Sequence, residues 1–186
     1  MSNAVKLDKL YTYADLLTWP EDERWELIDG VPYAMAAPNT RHQRISMNLS
    51  REFSVFLKDK NCEVFAAPFD VRLYADKDDD ATNTIVQPDL IVVCDPNKID
   101  EKGCKGAPDL VVEILSPSNS ERDRTVKFQK YQTAGVPEVW FVDPDNKNIQ
   151  VFISIDGKYD INLYGKEDAL PVGILPGFKI NLKDIF

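Results

Sequence analysis

The chain has 186 residues, of which 44% are hydrophobic and 28% charged, and it carries a formal net charge of −9. Its length suits one domain over residues 1–186 with a single substantial core, and no apolar stretch approaches the length of a membrane-spanning helix. The surplus of acid opposes broad attraction to nucleic acid, so any phosphate contact must come from a local basic groove or a bridging metal.

In chain order, Thr12 precedes Tyr13-Ala14-Asp15-Leu16-Leu17, which reads as a short capped helix. Trp25–Ile28 and Val31–Met35 flank Asp29-Gly30 and predict a β-hairpin. Glu26 lies in its first arm, where an isolated Glu reads as a solvent-face residue. Thr40 is placed to cap a helix from Arg41 to about Lys58, whose buried stripe is Ile45, Leu49, Phe53 and Phe56. His42 stands one turn before Ile45, either as a satisfied histidine at a helix start or as a donor to a substrate phosphate. Cys62–Ala66 and Phe69–Tyr74 are strand candidates, the second alternating Phe69, Val71 and Leu73 with Asp70, Arg72 and Tyr74. Asp76-Lys77-Asp78-Asp79-Asp80 reads as a solvated acidic loop, lacking the ligand spacing of a calcium loop.

The stretch from Gln87 to Tyr131 organises the chemistry. Leu90–Val93 and Leu110–Val112 are β-branched runs joined by the loop 95–107, and each carries an acid at the end away from that loop: Asp89 and Glu113. Antiparallel pairing with a register symmetric about the loop sets Asp89 directly opposite Glu113, with Cβ atoms roughly 4.5–5.5 Å apart. Two carboxylates so close require a proton or a cation between them, and hard oxygen donors at that separation suit Mg²⁺. Beyond Ser116-Pro117-Ser118-Asn119-Ser120 a helix is expected over about Glu121–Ala134, closed by Gly135. Lys127 and Tyr131 share one face of it, while Asp123, four residues before Lys127, offers that lysine a surface ion pair instead. Val139–Val142 is a buried strand reached by a crossover to a parallel neighbour. Ile149–Ile155 and Tyr159–Tyr164 form a hairpin through Asp156-Gly157, and the tail from Leu170 is irregular and strand-rich.

The three cysteines, Cys62, Cys94 and Cys104, lack CxxC spacing, and no secretory leader pattern opens the chain; reduced thiols in a cytoplasmic protein are expected. His42 is the single histidine, so a His-rich zinc site is not available within one chain. No GxSxG nucleophile elbow exists.

The set Trp25-Glu26-Leu27-Ile28-Asp29-Gly30, His42-Gln43, Gln87-Pro88-Asp89, Glu113-Ile114-Leu115-Ser116-Pro117-Ser118, Asp123 with Lys127 and Tyr131, and Gly135-Val136-Pro137-Glu138-Val139-Trp140 resembles the Uma2 family, the DUF820 group of PD-(D/E)xK-type endonucleases. The resemblance runs from about Tyr13 to Phe178. It implies an α/β (α+β) restriction-endonuclease-like fold: a mixed central β-sheet flanked by helices, with additional β-hairpins. It further implies Mg²⁺-dependent (or Mn²⁺-dependent) cleavage of phosphodiester bonds in DNA, and a homodimer. Pro88-Asp89 matches the PD element and Glu113 the following acid. Leu115 stands where the motif has lysine, and the resemblance moves that lysine to Lys127. The implied metal ligands are Asp89, Glu113 and the Ile114 carbonyl. Lys127 orients the attacking water or stabilises developing charge. Glu26 adds a ligand or takes a proton, and His42 and Tyr131 hold a phosphate or the lysine. Two other classes fit the same residues: a nuclease fold that grips DNA or a protein without cutting, and a metal-dependent hydrolase of a small phosphoester.

Overall fold

The computed structural model describes residues 9–20, 22–75, 79–116 and 123–186. Helix α1 (Tyr13–Leu16) starts in a reciprocal capping box between Thr12 and Asp15. Strands β1 (Trp25–Ile28) and β2 (Val31–Ala34) form the expected hairpin. Its turn places Asp29 at φ 52° and Gly30 at φ 77°, the left-handed pair that an Asp-Gly hairpin needs. A Cβ on Gly30 would meet Leu10 Cβ at 2.8 Å, so that position also needs glycine for space.

Helix α2 covers Thr40–Leu57, and its cap is Asn39, not Thr40: the Asn39 side chain accepts from the His42 amide at 2.9 Å. Strand β3 is Glu63–Ala66. The expected strand Phe69–Tyr74 shrinks to β4, Val71–Arg72. Arg72 is fully buried rather than solvent-facing, and it pairs with Asp79 at 2.9 Å and Asp100 at 2.7 Å. Asp79 is therefore a structural counterion and not only a solvated loop acid; residues 76–78 of that loop lie outside the described residues. There follow β5 (Ile85–Val86), β6 (Leu90–Val93), β7 (Ile99–Asp100), β8 (Gly103–Lys105) and β9 (Leu110–Ile114). The helix expected from Glu121 begins outside the described residues; its described part is a π-helical turn, Asp123–Lys127, that runs into α3 (Phe128–Ala134). Gly135 closes α3 at φ 79°. The chain ends with β10 (Glu138–Asp143), the hairpin β11 (Asn148–Ile155) and β12 (Lys158–Gly165), and the short pair β13 (Ala169–Pro171) and β14 (Lys179–Asn181).

The described strands form a mixed sheet of order β12-β11-β10-β9-β6-β3, a second of order β2-β1-β5-β4-β8-β7, and the β13-β14 pair. In the first, β9 and β10 run parallel, as the crossover reading requires, and the other neighbours are antiparallel. Alternation along the central strands fills both faces. Leu90, Val92, Leu110 and Val112 pack against Ile45, Leu49 and Phe53 of α2. Ile91, Val93, Val111 and Phe141 pack with Tyr131 of α3. Helices thus cover both faces of a mixed sheet, the α+β architecture expected.

One buried feature differs from the sequence reading, and a second had no role in it. Cys62 and Cys94 form a disulfide, and Cys104 is a buried thiol whose pKa is pushed up to about 11 by burial. The β3–β6 register, Glu63 opposite Val93, places Cys62 directly across from Cys94. Glu138 is fully buried and anchors the tail: its carboxylate accepts from Trp140 Nε1 at 2.7 Å and from the Ile174 amide at 2.9 Å. Glu138→Ala strands both donors and is expected to cost about 2–5 kcal/mol, read as a fall in Tm; an unchanged melt would contradict the anchoring role.

Candidate functional site

The register of β6 against β9 is the symmetric one: Leu90 faces Val112, Ile91 faces Val111 and Val92 faces Leu110. One step beyond the ladder lie Asp89 and Glu113. Pro88 has no amide hydrogen to donate, which suits the mouth of a strand and leaves Asp89 where pairing begins. Their carboxylates take different partners. Asp89 Oδ2 accepts the Ile114 amide at 2.7 Å, and Asp89 Oδ1 lies 3.1 Å from His42 Nε2. His42 reaches it from the first turn of α2, whose cap fixes the helix start. Glu113 turns toward α3, where Lys127 Nζ lies 2.6 Å from Oε1 and the Tyr131 hydroxyl donates to the same oxygen.

Lys127 is the last residue of the π-helical turn. Its i,i+4 relation to Tyr131 points both side chains at Glu113. Glu26 closes the arrangement from the hairpin: Oε1 lies 2.8 Å from Lys127 Nζ and accepts the Gln87 amide at 2.9 Å. Glu26, Lys127 and Glu113 are 0%, 2% and 3% exposed. The solvent-face reading of Glu26 and the surface-pair reading of Lys127 are both overturned; the side chain of Asp123 lies outside the described residues. Burial, followed by the Glu113 charge, raises the Tyr131 hydroxyl well above the usual phenol range, so it stays protonated and donates. Leu115, where the motif has lysine, is core.

All six candidate side chains therefore enter one linked cluster. Glu26, Lys127, Glu113 and Tyr131 form one chain of contacts, and Asp89 and His42 join it through the Ile114 amide beside Glu113. Ile114 contributes main chain only. Among these groups three carboxyls meet one lysine and one histidine. That surplus of acid is what a divalent cation neutralises, and the oxygens are the hard donors that Mg²⁺ and Mn²⁺ take. Among the described residues no cluster of three or more His, Cys, Asp or Glu forms a metal cage. A cation here would rest on two carboxylates, a main-chain carbonyl and water, the sparse protein shell that Mg²⁺ accepts.

Gln87 had no role in the sequence reading beyond its place in the motif. Its side chain accepts from Arg24 at 2.8 Å and donates to Asp70 Oδ1 at 2.8 Å, while its main chain holds Glu26. Asp70 also accepts from the Tyr13 hydroxyl at 3.3 Å. A cavity of about 250 Å³ beside it is lined by Pro68, Phe69, Asp70, Gln87, Glu101, Lys102 and Gly103. Burial raises the Asp70 carboxyl above the usual range, and its hydrogen bonds only partly offset this. A raised folded-state pKa contributes stability below the unfolded value, and that contribution is lost as pH rises through the folded value. Asp70→Asn keeps the Gln87 contact without the charge. Its stability relative to the parent is expected to increase from acid to neutral pH in denaturant melts; a constant difference would show that the charge carries no cost.

Comparison with known proteins decides the kinship. A family model, Uma2, described as "Putative restriction endonuclease", matches residues 13–183. The chain belongs to the Uma2 family. A Synechocystis protein, "Uncharacterized protein slr1290", is 30% identical over 157 residues, covering 83% of this chain and 73% of that one. A second Synechocystis protein, sll1609, is 29% identical over 133 residues, covering 69% and 72%. The crystal structure of an Anabaena variabilis protein titled as a putative nuclease belonging to DUF820 superposes with a TM-score of 0.75 at 20% identity, covering 94% of this chain and 97% of that one. That likeness establishes the fold: a mixed sheet with the same architecture as this Uma2 chain. No described helix is long and apolar enough to cross a membrane.

Proposed function

We propose that this Uma2 protein is a metal-dependent endonuclease that hydrolyses phosphodiester bonds in DNA. The observation that carries the reading is the buried contact of Lys127 with Glu113, one residue beyond the β6–β9 ladder. It puts an ammonium beside the acid pair although Leu115 occupies the usual lysine position. What matters to the chemistry is where the charge sits, not which element bears it.

Asp89, Glu113 and the Ile114 carbonyl would hold Mg²⁺ or Mn²⁺. Bound there, the ion supplies Lewis-acid polarisation of the scissile phosphate and a lower pKa for an attacking water. The protein's own groups do the rest. Lys127 orients that water or stabilises the charge that develops on the phosphate oxygens. Glu26 also contacts Lys127 and fixes the Gln87 main chain just before Asp89. Tyr131 fixes Glu113, and His42 fixes Asp89 from α2. These positioning contacts are preorganised by burial, so the groups need little rearrangement during reaction.

The net charge of −9 favours one competing reading, a hydrolase of a small phosphoester, which needs no extended backbone contact. Incubation of the protein with linear duplex DNA, RNA and a mononucleotide ester, each with Mg²⁺ or EDTA, separates the two. Metal-dependent cutting of DNA is expected. Turnover of the ester alone would replace the nuclease reading, and metal binding with no turnover would favour a binding module.

A further inference from the structure

The cavity of about 250 Å³ beside Asp70 has no part in the metal chemistry, yet its walls adjoin the Asp89 segment. One wall includes Gln87, two residues before Asp89, a reach of about 7 Å along extended chain. Another includes Pro68, whose neighbour Ala67 donates its amide to the Asp89 carbonyl at 3.1 Å. The volume falls just under the roughly 300–1,000 Å³ of drug-sized ligand sites, the scale of a single ring system.

The polar groups of the cavity are set by a relay. Arg24 donates from two nitrogens to Gln87 Oε1, at 3.1 and 2.8 Å, which turns Gln87 Nε2 toward Asp70. Nε2 spends one hydrogen on Asp70 Oδ1 and carries a second. Asp70 accepts from Gln87 on one oxygen and from Tyr13 on the other, two of the about four lone-pair positions of a carboxylate. Burial outweighs these bonds and holds the carboxyl above its usual range, the mark of an acceptor short of donors. The wall thus presents an amide donor beside a carboxylate acceptor. Phe69 lines the same cavity and stacks on Phe65, with ring centroids 4.4 Å apart and planes 13° from parallel.

We propose that this cavity receives one unpaired nucleobase of the strand being cut, stacked on Phe69 and held by the Gln87 amide and the Asp70 carboxylate. The proposal deepens the nuclease reading and rests on it. Every base carries an acceptor next to an N–H donor on its Watson–Crick edge, which is the complement of Gln87 beside Asp70. In a duplex the partner base covers that edge, and neighbours in the stack cover the ring faces. Entry therefore selects single strands, bulges or an extruded nucleotide. The net charge of −9 agrees, because binding through stacking and base hydrogen bonds needs fewer phosphate contacts than a grip along a duplex. Lys102, at the rim, is 46% exposed and pairs with Asp80 only at the surface, so its ammonium can turn to a phosphate.

The test uses the full chain and a fluorescein-labelled DNA duplex in three forms: fully paired, with one bulged thymidine, and with that bulge abasic. Anisotropy is read in EDTA, so cleavage plays no part. The bulged thymidine is expected to bind about tenfold tighter than the other two forms, the contribution of one stacked base. Phe69→Ala and Asp70→Asn are each expected to remove most of that preference. Asp70→Asn keeps the Gln87 contact and replaces the acceptor for thymine N3–H by a donor, so it decides the matter should Phe69→Ala fail to fold. Equal binding of the bulged and abasic forms by the parent, or a preference that survives both substitutions, overturns the subsite. Adding Mg²⁺ then separates the two readings. Base-dependent binding without cutting keeps the subsite and removes the nuclease activity, whereas cutting at equal rates on all three forms keeps the nuclease and removes the subsite.

Discussion

Lys127→Met is expected to abolish cleavage and to lower stability by about 3–5 kcal/mol, the cost of leaving buried carboxylates without their cation. Lys127 lies 2.8 Å from Glu26 and 2.6 Å from Glu113, and all three side chains are almost wholly buried. In a domain of this size the loss corresponds to a fall in Tm of roughly 10 °C. The two effects can be separated. Adding Glu26→Gln to Lys127→Met removes one of the stranded charges, so it is expected to restore part of the stability and none of the cleavage. Restored cleavage would mean that the lysine serves only to neutralise Glu26. An unchanged melt for Lys127→Met alone would mean that its ammonium is solvated.

Asp89→Asn is expected to show the opposite balance, with cleavage down by about 10³-fold or more and the melt nearly unchanged. The amide keeps an oxygen for the Ile114 amide and can turn its nitrogen to a neutral His42. Hydrogen bonding at the strand mouth therefore survives. What disappears is a negative oxygen donor for a divalent cation. Losing about 4 kcal/mol of transition-state stabilisation corresponds to that drop in rate. Circular dichroism and thermal melting establish that the fold is intact, and the rate is then compared at saturating Mg²⁺. Retained cleavage would remove Asp89 from the reaction.

The acid pair was legible because its geometry is local. Two short β-branched runs, each bounded by turn residues, leave one symmetric register, and the ladder adopts it with Leu90 against Val112. The hairpin at Asp29-Gly30 and the parallel step from β9 to β10 were legible for similar reasons. Glu26 was not. Nothing near it in sequence hides it; its burial comes from Lys127, 101 residues away, and from the Gln87 main chain. Arg72 misled for the same reason. Alternation with Val71 and Leu73 points it outward, but Asp79 from a 3-10 turn and Asp100 from β7 pair with it. The Cys62–Cys94 pairing depends on the β3–β6 register, which cysteine spacing does not encode. The shift of the α2 cap from Thr40 to Asn39 is a one-residue choice between two competent caps, and the Asn39 contact with the His42 amide decides it. Only the family resemblance drew Glu26 toward the acids; spacing alone made it a solvent-face residue, left His42 between a helix-start histidine and a phosphate donor, and set Tyr131 on one helix face with Lys127.

The central claim is that Asp89 and Glu113 together hold a divalent cation. Calorimetric titration of Mg²⁺ and Mn²⁺ into the parent protein, Asp89→Ala and Glu113→Ala tests it most directly. Saturable binding by the parent, lost in both variants while their circular dichroism is preserved, is the predicted result. Binding that survives either substitution, or no binding by the parent at all, would contradict the account and leave the paired acids a purely structural feature.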